Sequence, residues 1–479
     1  MMSVVAAVDI GATSGRVMLA ELDAGVPRLR EIHRFRNGPR EVDGRWVWPF
    51  DSLCEEVILG LGKAVALGAS SCGIDTWAVD YVVFTSEGKQ VGPVYAYRDP
   101  AHARGIELTR QKLPRPRHYE ISGIQELPFN TVYQLLAEDP SRISVDSRLL
   151  LVPDALEFML TGEMGAELSN ASTTALVDPV TRDWSLEVLE SLTLPVEFFS
   201  PVHEPGRFRG LCRDVRLEKL PFISVATHDT ASAFAGTPIL DRDTSFIISL
   251  GTWALVGFET TEAKPQVAAA DINLTHELGV DSTVRCLKNV TGMWLLEECR
   301  RFWEHTDGQL PDIPELFALA QNFTEFSGIV DVDRPELAAP GQTPDKILTY
   351  VVGLSPDTRA GLVRVLLESL TARLASQMCM IERFTGHIRP TVHIVGGSSR
   401  NGFLMQWIAN ASGKTVIAGP VEAACVGNAA VQWCAKGVFE NISQARAAIA
   451  LMPEIRTFEP NGSKNQWQDY ARTLDWEIT

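Results

Sequence analysis

Much of what this chain could do is excluded by what it lacks. No apolar run approaches the roughly 18 residues that cross a bilayer, so no membrane span is expected. The short run Val4–Val8 has no basic residues before it and stops at Asp9, which does not read as a signal peptide. The eight cysteines form no Cys-x-x-Cys pair, which argues against a zinc site or disulfide frame and for the reduced thiols of a cytoplasmic protein. Basic charge is short as well: 43 Lys and Arg stand against 60 Asp and Glu, a net charge of −17. Such a surface repels phosphate on average, so neither nucleic acid nor an anionic membrane is an expected partner. An anionic small molecule would need a local site of backbone N–H groups, helix termini or a metal ion. No His-Glu-x-x-His, Gly-x-Ser-x-Gly or EF-hand spacing occurs. Gly413-Lys414-Thr415 imitates the end of a Walker loop, but Ile408 stands where its first Gly belongs, and the segment follows a helix pattern instead of opening one.

What is present is a long, ordinary globular composition: 479 residues, 45% hydrophobic and 22% charged, enough for two large domains. Asp9-Ile10-Gly11-Ala12-Thr13-Ser14-Gly15-Arg16 reads as strand, Gly-rich turn and strand. Its backbone N–H groups and hydroxyls can cradle phosphate, and Asp9 at the strand end can hold a metal-bound water; the alternative is a plain hairpin with a polar tip. Ser245–Phe258 repeats the pattern around Gly251-Thr252, apolar strand, Gly, small polar residues, apolar strand. One hairpin opening each half implies an internal duplication of two α/β domains.

Between the hairpins, Phe222–Ala226 is an apolar strand that ends in Thr227-His228-Asp229-Thr230 and leads into a small-residue helix. This places His-Asp where a general base could act, although Asp229 or Thr230 could equally be the helix N-cap. Asp75, Trp77 and Asp80 on the strand-like Ser71–Phe84 offer hydroxyl acceptors and an apolar ring face, as a sugar site needs; Trp77 could also be core. A long helix is expected from about residue 357 to 384, by the Leu362, Leu366, Leu370, Leu374 stripe. Thr391–Val395 followed by Gly396-Gly397-Ser398 gives a strand and a loop suited to a nucleotide.

Taken in order, these pieces resemble the FGGY family of carbohydrate kinases. The matching residues are Asp9–Arg16, Gly73–Trp77 with Val79-Asp80, Ala96–Asp99, Ser122–Gln125 with Pro128–Thr131, and Asn170–Thr174. They continue through His228–Ala233, Gly251–Trp253, Leu287–Asn289, His393–Gly397 and Val416–Ala423. The resemblance implies two duplicated actin/hexokinase-like (ribonuclease H-like) domains, 1–227 on the sugar and phosphate side and 228–479 on the nucleotide side, with an active-site cleft between them. The final segment of about 25 residues is expected to pack back on the first domain. Within the family the motifs are most similar to those of the branch that phosphorylates L-rhamnulose at the expense of ATP, with Mg²⁺. By the same resemblance Asp229 is the general base, and His228, Thr230, Asn289 and Ala78 line the sugar site. Ala12, Thr13, Ser14, Gly15, Arg16 and Thr252 hold the ATP phosphates; Glu297, Gly396 and Gly397 lie by the nucleotide. Three residues depart from the family pattern: Ala78 for a Gly in the sugar site, Glu297 for a Gln, and Ser398 for the third Gly of the loop. The first bears on which ketose fits, L-fuculose or a pentulose being alternatives. The Glu297 carboxylate should repel triphosphate unless a metal or Arg compensates. A sensor that binds without turnover is the reading from a different class.

Overall fold

Both Gly-turn hairpins lie at the centre of a sheet. The computed structural model describes residues 4–263, 265–323, 326–337, 341–353 and 358–478. The first sheet is built from β1 (Val5–Ile10), β2 (Ser14–Asp23), β3 (Val26–Arg36), β4 (Cys72–Thr76), β5 (Arg207–Leu211) and β6 (Pro221–Ser224), in the order β5-β6-β4-β1-β2-β3. Strands β1, β2 and β3 are antiparallel neighbours, whereas β4 runs parallel to β1 and β6 parallel to β4. Every residue of β1 and β4 is buried, as expected for central strands covered on both faces. Helix α1 (Phe50–Ala66) turns Leu53, Val57 and Leu61 toward this core. Pro49, not Asp51, occupies its N-cap position; Asp51 sits in the first turn, where a negative charge meets the positive end of the helix dipole.

The second sheet repeats the central topology. It has seven strands: β7 (Ser245–Leu250), β8 (Trp253–Thr260), β9 (Val284–Thr291), β10 (Thr391–Val395), β11 (Thr415–Ala418) and β12 (Arg456–Phe458), in the order β9-β8-β7-β10-β11-β12, with the short strand Thr275–Leu278 at the edge beside β9. Here too the hairpin pair β7–β8 is antiparallel and β7–β10–β11 are parallel. The long helix runs Arg359–Thr385 with Thr358 as its cap; residue 357 lies outside the described residues.

The compact units are not the two continuous stretches expected from sequence. The first comprises Met1–Leu240, Glu259–Cys286 and Glu422–Pro453; the second comprises Asp241–Phe258, Leu287–Val421 and Glu454–Thr479. The reason is visible in one helix, α2 (Ala423–Ala435), late in the chain. Its Asn428 amide donates to Asp75 Oδ2 (2.7 Å) and to the Gly73 carbonyl (3.2 Å), and Gln432 donates to the Ala6 carbonyl (3.0 Å). Gly427 lets this helix approach the one that follows His228 so closely that a Cβ there would meet the Ser232 carbonyl at 1.8 Å. Polar groups buried against a sheet must be paired, and these are paired across hundreds of residues. The last 26 residues, by contrast, belong to the second unit and not to the first.

Candidate active site

In the first unit, the turn Gly11–Ser14 is closed by the Gly11 N–H on the Ser14 carbonyl (2.9 Å) and braced by Asn37, whose amide donates to the Gly11 carbonyl (2.8 Å). Thr13 is exposed at the tip, with Ala12 and Ser14 half-buried beside it. Gly15 is required by packing, since a Cβ would lie 2.1 Å from the Phe35 ring. Arg16 was expected on a phosphate. Its guanidinium instead pairs with Asp9 Oδ2 (Nη2 at 2.6 Å, Nε at 3.0 Å) and with Glu422. Asp9 lies in register with Asp75 on the neighbouring strand.

Two expected sugar contacts are core residues. Asp75 is completely buried and holds Asn428, so it cannot accept a sugar hydroxyl; burial, with the Asp9 charge next, pushes its carboxyl well above the usual range. Trp77 is 5% exposed, packs on Trp48 with ring centroids 4.2 Å apart, and donates Nε1–H to Asp80 Oδ2 (2.9 Å). Its residue type suited a sugar platform, but its indole is spent inside. What these residues build is the turn that carries Ala78. Asp80 accepts from Trp48 Nε1, Trp77 Nε1, the Tyr97 N–H and Gln134 Nε2, at 2.6–3.1 Å. That anchorage holds Val79 at φ 72, a left-handed conformation a β-branched residue rarely adopts. Half-buried Ala78 is presented on this strained turn.

Asp229 begins the seven-residue helix Asp229–Ala235, with His228 in the cap position and no side chain closing the cap. The capping reading of Asp229 and Thr230 therefore does not hold. Thr230, itself buried, donates Oγ1–H to Asp229 Oδ1 (3.1 Å), and His228 Nε2 lies 3.4 Å from the same oxygen. The Asp229 side chain keeps 34% of its surface open. Loss of solvent raises its pKa above the ordinary carboxylate value, opposed by His228 and reinforced by the Asp9 charge.

Sequence reasoning missed the residues that fix this strand end. Glu167, fully buried, accepts the Thr227 N–H (2.9 Å) and Thr227 Oγ1–H (2.8 Å), and it also holds Ser169. Glu277 and Arg285 face His228. None stands in a recognisable local motif, because each partner lies 57 or more residues away or on another element.

The second unit holds the other expected residues. The turn at Gly251 is closed by its N–H on the Trp253 carbonyl (2.9 Å), with Thr252 exposed; the Thr252 carbonyl accepts from Gly292 and Trp294 (3.2 Å each). Gly396 has φ 94 and tucks against the Leu250 carbonyl, while Gly397 faces open space. Half-buried Asn289 lies on β9. Glu297 has the compensation its charge requires: Arg300 Nη1 lies 2.7 Å and 3.0 Å from its two oxygens. Lys414 of the Walker-like tripeptide is bound to Glu382 (2.6 Å) and the Arg389 carbonyl, which removes it as a phosphate ligand. All eight cysteines are free thiols, and Cys425 is held well above its usual pKa by burial and by Asp9.

Among the described residues no group of three or more His, Cys, Asp or Glu side chains could hold a metal ion alone. Mg²⁺ does not require one, since it keeps several waters and takes one or two carboxylates plus substrate phosphates. Asp9 fits that demand, and its register partner Asp75 carries a buried Oδ1 without a hydrogen-bond partner.

Comparisons with known proteins identify the family. Residues 4–236 match the N-terminal domain of the FGGY family of carbohydrate kinases and residues 246–435 its C-terminal domain. The chain is 37% identical to a rhamnulokinase of Enterococcus faecalis, with 97% of each chain covered. It is 34% identical to one of Bacillus subtilis, with 95% of each covered. Among solved structures it resembles glycerol kinase of Plasmodium falciparum with ADP (TM-score 0.80, 14% identity, 99% and 97% covered). It also resembles a xylulose kinase of Lactobacillus acidophilus (TM-score 0.79, 13% identity, 98% and 96% covered). Two domains, two matching hairpins and full-length relatives lead to one conclusion: this chain belongs to the FGGY family of carbohydrate kinases.

Proposed function

We propose that this carbohydrate kinase transfers the γ-phosphoryl group of ATP to L-rhamnulose, giving L-rhamnulose 1-phosphate and ADP, with Asp229 as general base. The relatives named rhamnulokinase, similar over nearly the whole chain, supply the sugar. The observation that carries the mechanism is the Asp229 carboxylate: half-open, raised in pKa, with both close side-chain contacts on Oδ1. Oδ2 is then the oxygen that takes the sugar hydroxyl proton. As that proton leaves, the sugar oxygen forms its bond to the γ-phosphorus and the bond to the β-bridging oxygen breaks. Phosphoryl transfer needs little else from the protein beyond placement and charge neutralisation. Ala12–Gly15 and Thr252 would offer phosphate contacts, Gly396 and Gly397 a close backbone approach to the nucleotide, and Asn289 a sugar contact. Asp9 would hold Mg²⁺ through water, and that ion, when bound, neutralises phosphate oxygens. Arg16 would keep Asp9 in place.

A second ketose is favoured by one observation, the methyl of Ala78 on its strained turn, where the family resemblance implies Gly. The test is a panel of L-rhamnulose, L-fuculose and pentuloses with ATP. L-Rhamnulose should exceed the others in kcat/KM by roughly tenfold or more. A better acceptor among the others would overturn the named sugar and leave the kinase reading intact; binding without turnover would point to a sensor.

A further inference from the structure

Beneath Asp229 lies a buried chain of charge that the transfer reaction as described does not use. Arg285, with no exposed surface, is fixed by its Nη2 and Nε on the Leu278 carbonyl (3.0 and 3.2 Å) and by Nη2 on the Ser169 carbonyl (3.3 Å). Its remaining nitrogen, Nη1, lies 3.2 Å from Glu277 Oε2 and 3.3 Å from His228 Nδ1. Glu277 Oε2 is in turn 3.4 Å from His228 Nδ1. His228 Nε2 faces Asp229 Oδ1 at 3.4 Å. All four side chains belong to the first unit.

We propose that Glu277 and Arg285 are positioning residues for the base, acting through His228 to present an N–H to Asp229 Oδ1 and so reserve Oδ2 for the sugar proton. This rests on Asp229 being the base. The argument is one of tautomers. If Arg285 donates to Nδ1, the imidazole is neutral and its only proton sits on Nε2. If Nδ1–H donates to Glu277, the ring lies between two carboxylates, Glu277 at Nδ1 and Asp229 at Nε2, and that setting favours the imidazolium, in which Nε2 again carries a proton. Both states aim the same N–H at Asp229. An unassisted His could adopt the opposite tautomer, which would set a lone pair against the carboxylate and turn it away. Charge balance requires the pair to act together. Burial pushes the Glu277 pKa up, but Arg285 and then His228 outweigh it and hold the group ionised. Burial works against the Arg285 charge, and the carboxylates of Glu277, Glu167, Glu259 and Asp229 support it. A purely structural ion pair would have no reason to address the nitrogen that sets the tautomer. Burial alone does not favour such a pair, because charges taken from water cost more than most pairs return.

The test is a kinetic cycle. Glu277→Gln is measured alone and in the Asp229→Asn background, with thermal melting recorded for each; Glu277→Gln/Arg285→Met, which removes both charges together, serves if the single variant does not fold. The expected result is a loss of roughly tenfold or more in kcat with native Asp229. In the Asp229→Asn background the same change should move the residual rate by less than about twofold, because a positioning residue is silent once the base is gone. An equal loss in both backgrounds, or no loss of kcat with native Asp229, overturns the proposal. If Asp229→Asn itself keeps near-normal turnover, the base assignment fails first and this inference fails with it.

Discussion

The two hairpins share one plan and differ in charge. Aligned on their glycines, Asp9 and Ser249 occupy the same place, as do Ile10 and Leu250, Gly11 and Gly251. Across to the parallel neighbour, Asp9 is in register with Asp75, and Ser249 with Val395. Back across the hairpin, Asp9 faces Arg16, whereas Ser249 faces Leu255. The turn closes from Gly11 to Ser14 in the first hairpin and one residue sooner, from Gly251 to Trp253, in the second. One scaffold thus appears once with two buried carboxylates and an ion pair, and once with neutral, small or apolar residues. Carboxylates suit proton and metal work; a neutral, glycine-rich surface suits an anionic nucleotide that carboxylates would repel. The duplication preserved topology and divided chemistry.

Perturbing each side should expose that division. The largest effect is expected from Asp229→Asn in the charged unit: kcat falls by roughly 10²–10⁴ while sugar binding, measured by calorimetry, is largely retained. Near-normal turnover would sink the base assignment. Asp9→Ser, which gives the first hairpin the residue of the second, should lower kcat by about 10²-fold with a much smaller change in sugar KM. An unchanged kcat would mean that the difference in charge between the hairpins is incidental. Packing predicts a smaller contrast. Gly15→Ala meets the Phe35 ring and should destabilise by about 1–3 kcal/mol in denaturant unfolding, whereas Gly397→Ala, with open space around it, should stay within about 0.5 kcal/mol. Smallest is Glu297→Gln, which frees Arg300 and should lower the KM for ATP by roughly twofold to fivefold. A constant KM would show that the pair faces away from the nucleotide.

The sequence revealed what is local. Gly-rich turns between apolar strands, the His228-Asp229 strand end and the helix closed by Gly413 are specified within a dozen residues, and the structure forms each of them. Residue type without context misled at Trp77 and Asp75, because an indole or carboxylate that suits a sugar is equally satisfied by buried partners. Asp80 and Asn428 are those partners, the latter 353 residues from Asp75 in the chain. Arg285, Glu277 and Glu167 were invisible for the same reason: a buried ion pair or hydrogen-bond hub has no periodicity. The turn at Val79 could not be foreseen either, since nothing in the order Trp-Ala-Val-Asp announces a left-handed valine.

The interrupted composition of the first unit also bears on the order in which the molecule is made. A ribosome releases residues 1–240 long before Glu422–Pro453, by roughly ten to forty seconds at ordinary elongation rates. Through that interval Asp75 has no Asn428, the Ala6 carbonyl no Gln432, and Arg16 no Glu422. The nascent first half is a sheet with an unfinished polar face, and it gains its last two helices only when residues 422–453 have emerged. A broken message or a stalled ribosome therefore yields a first unit that lacks its closing helices.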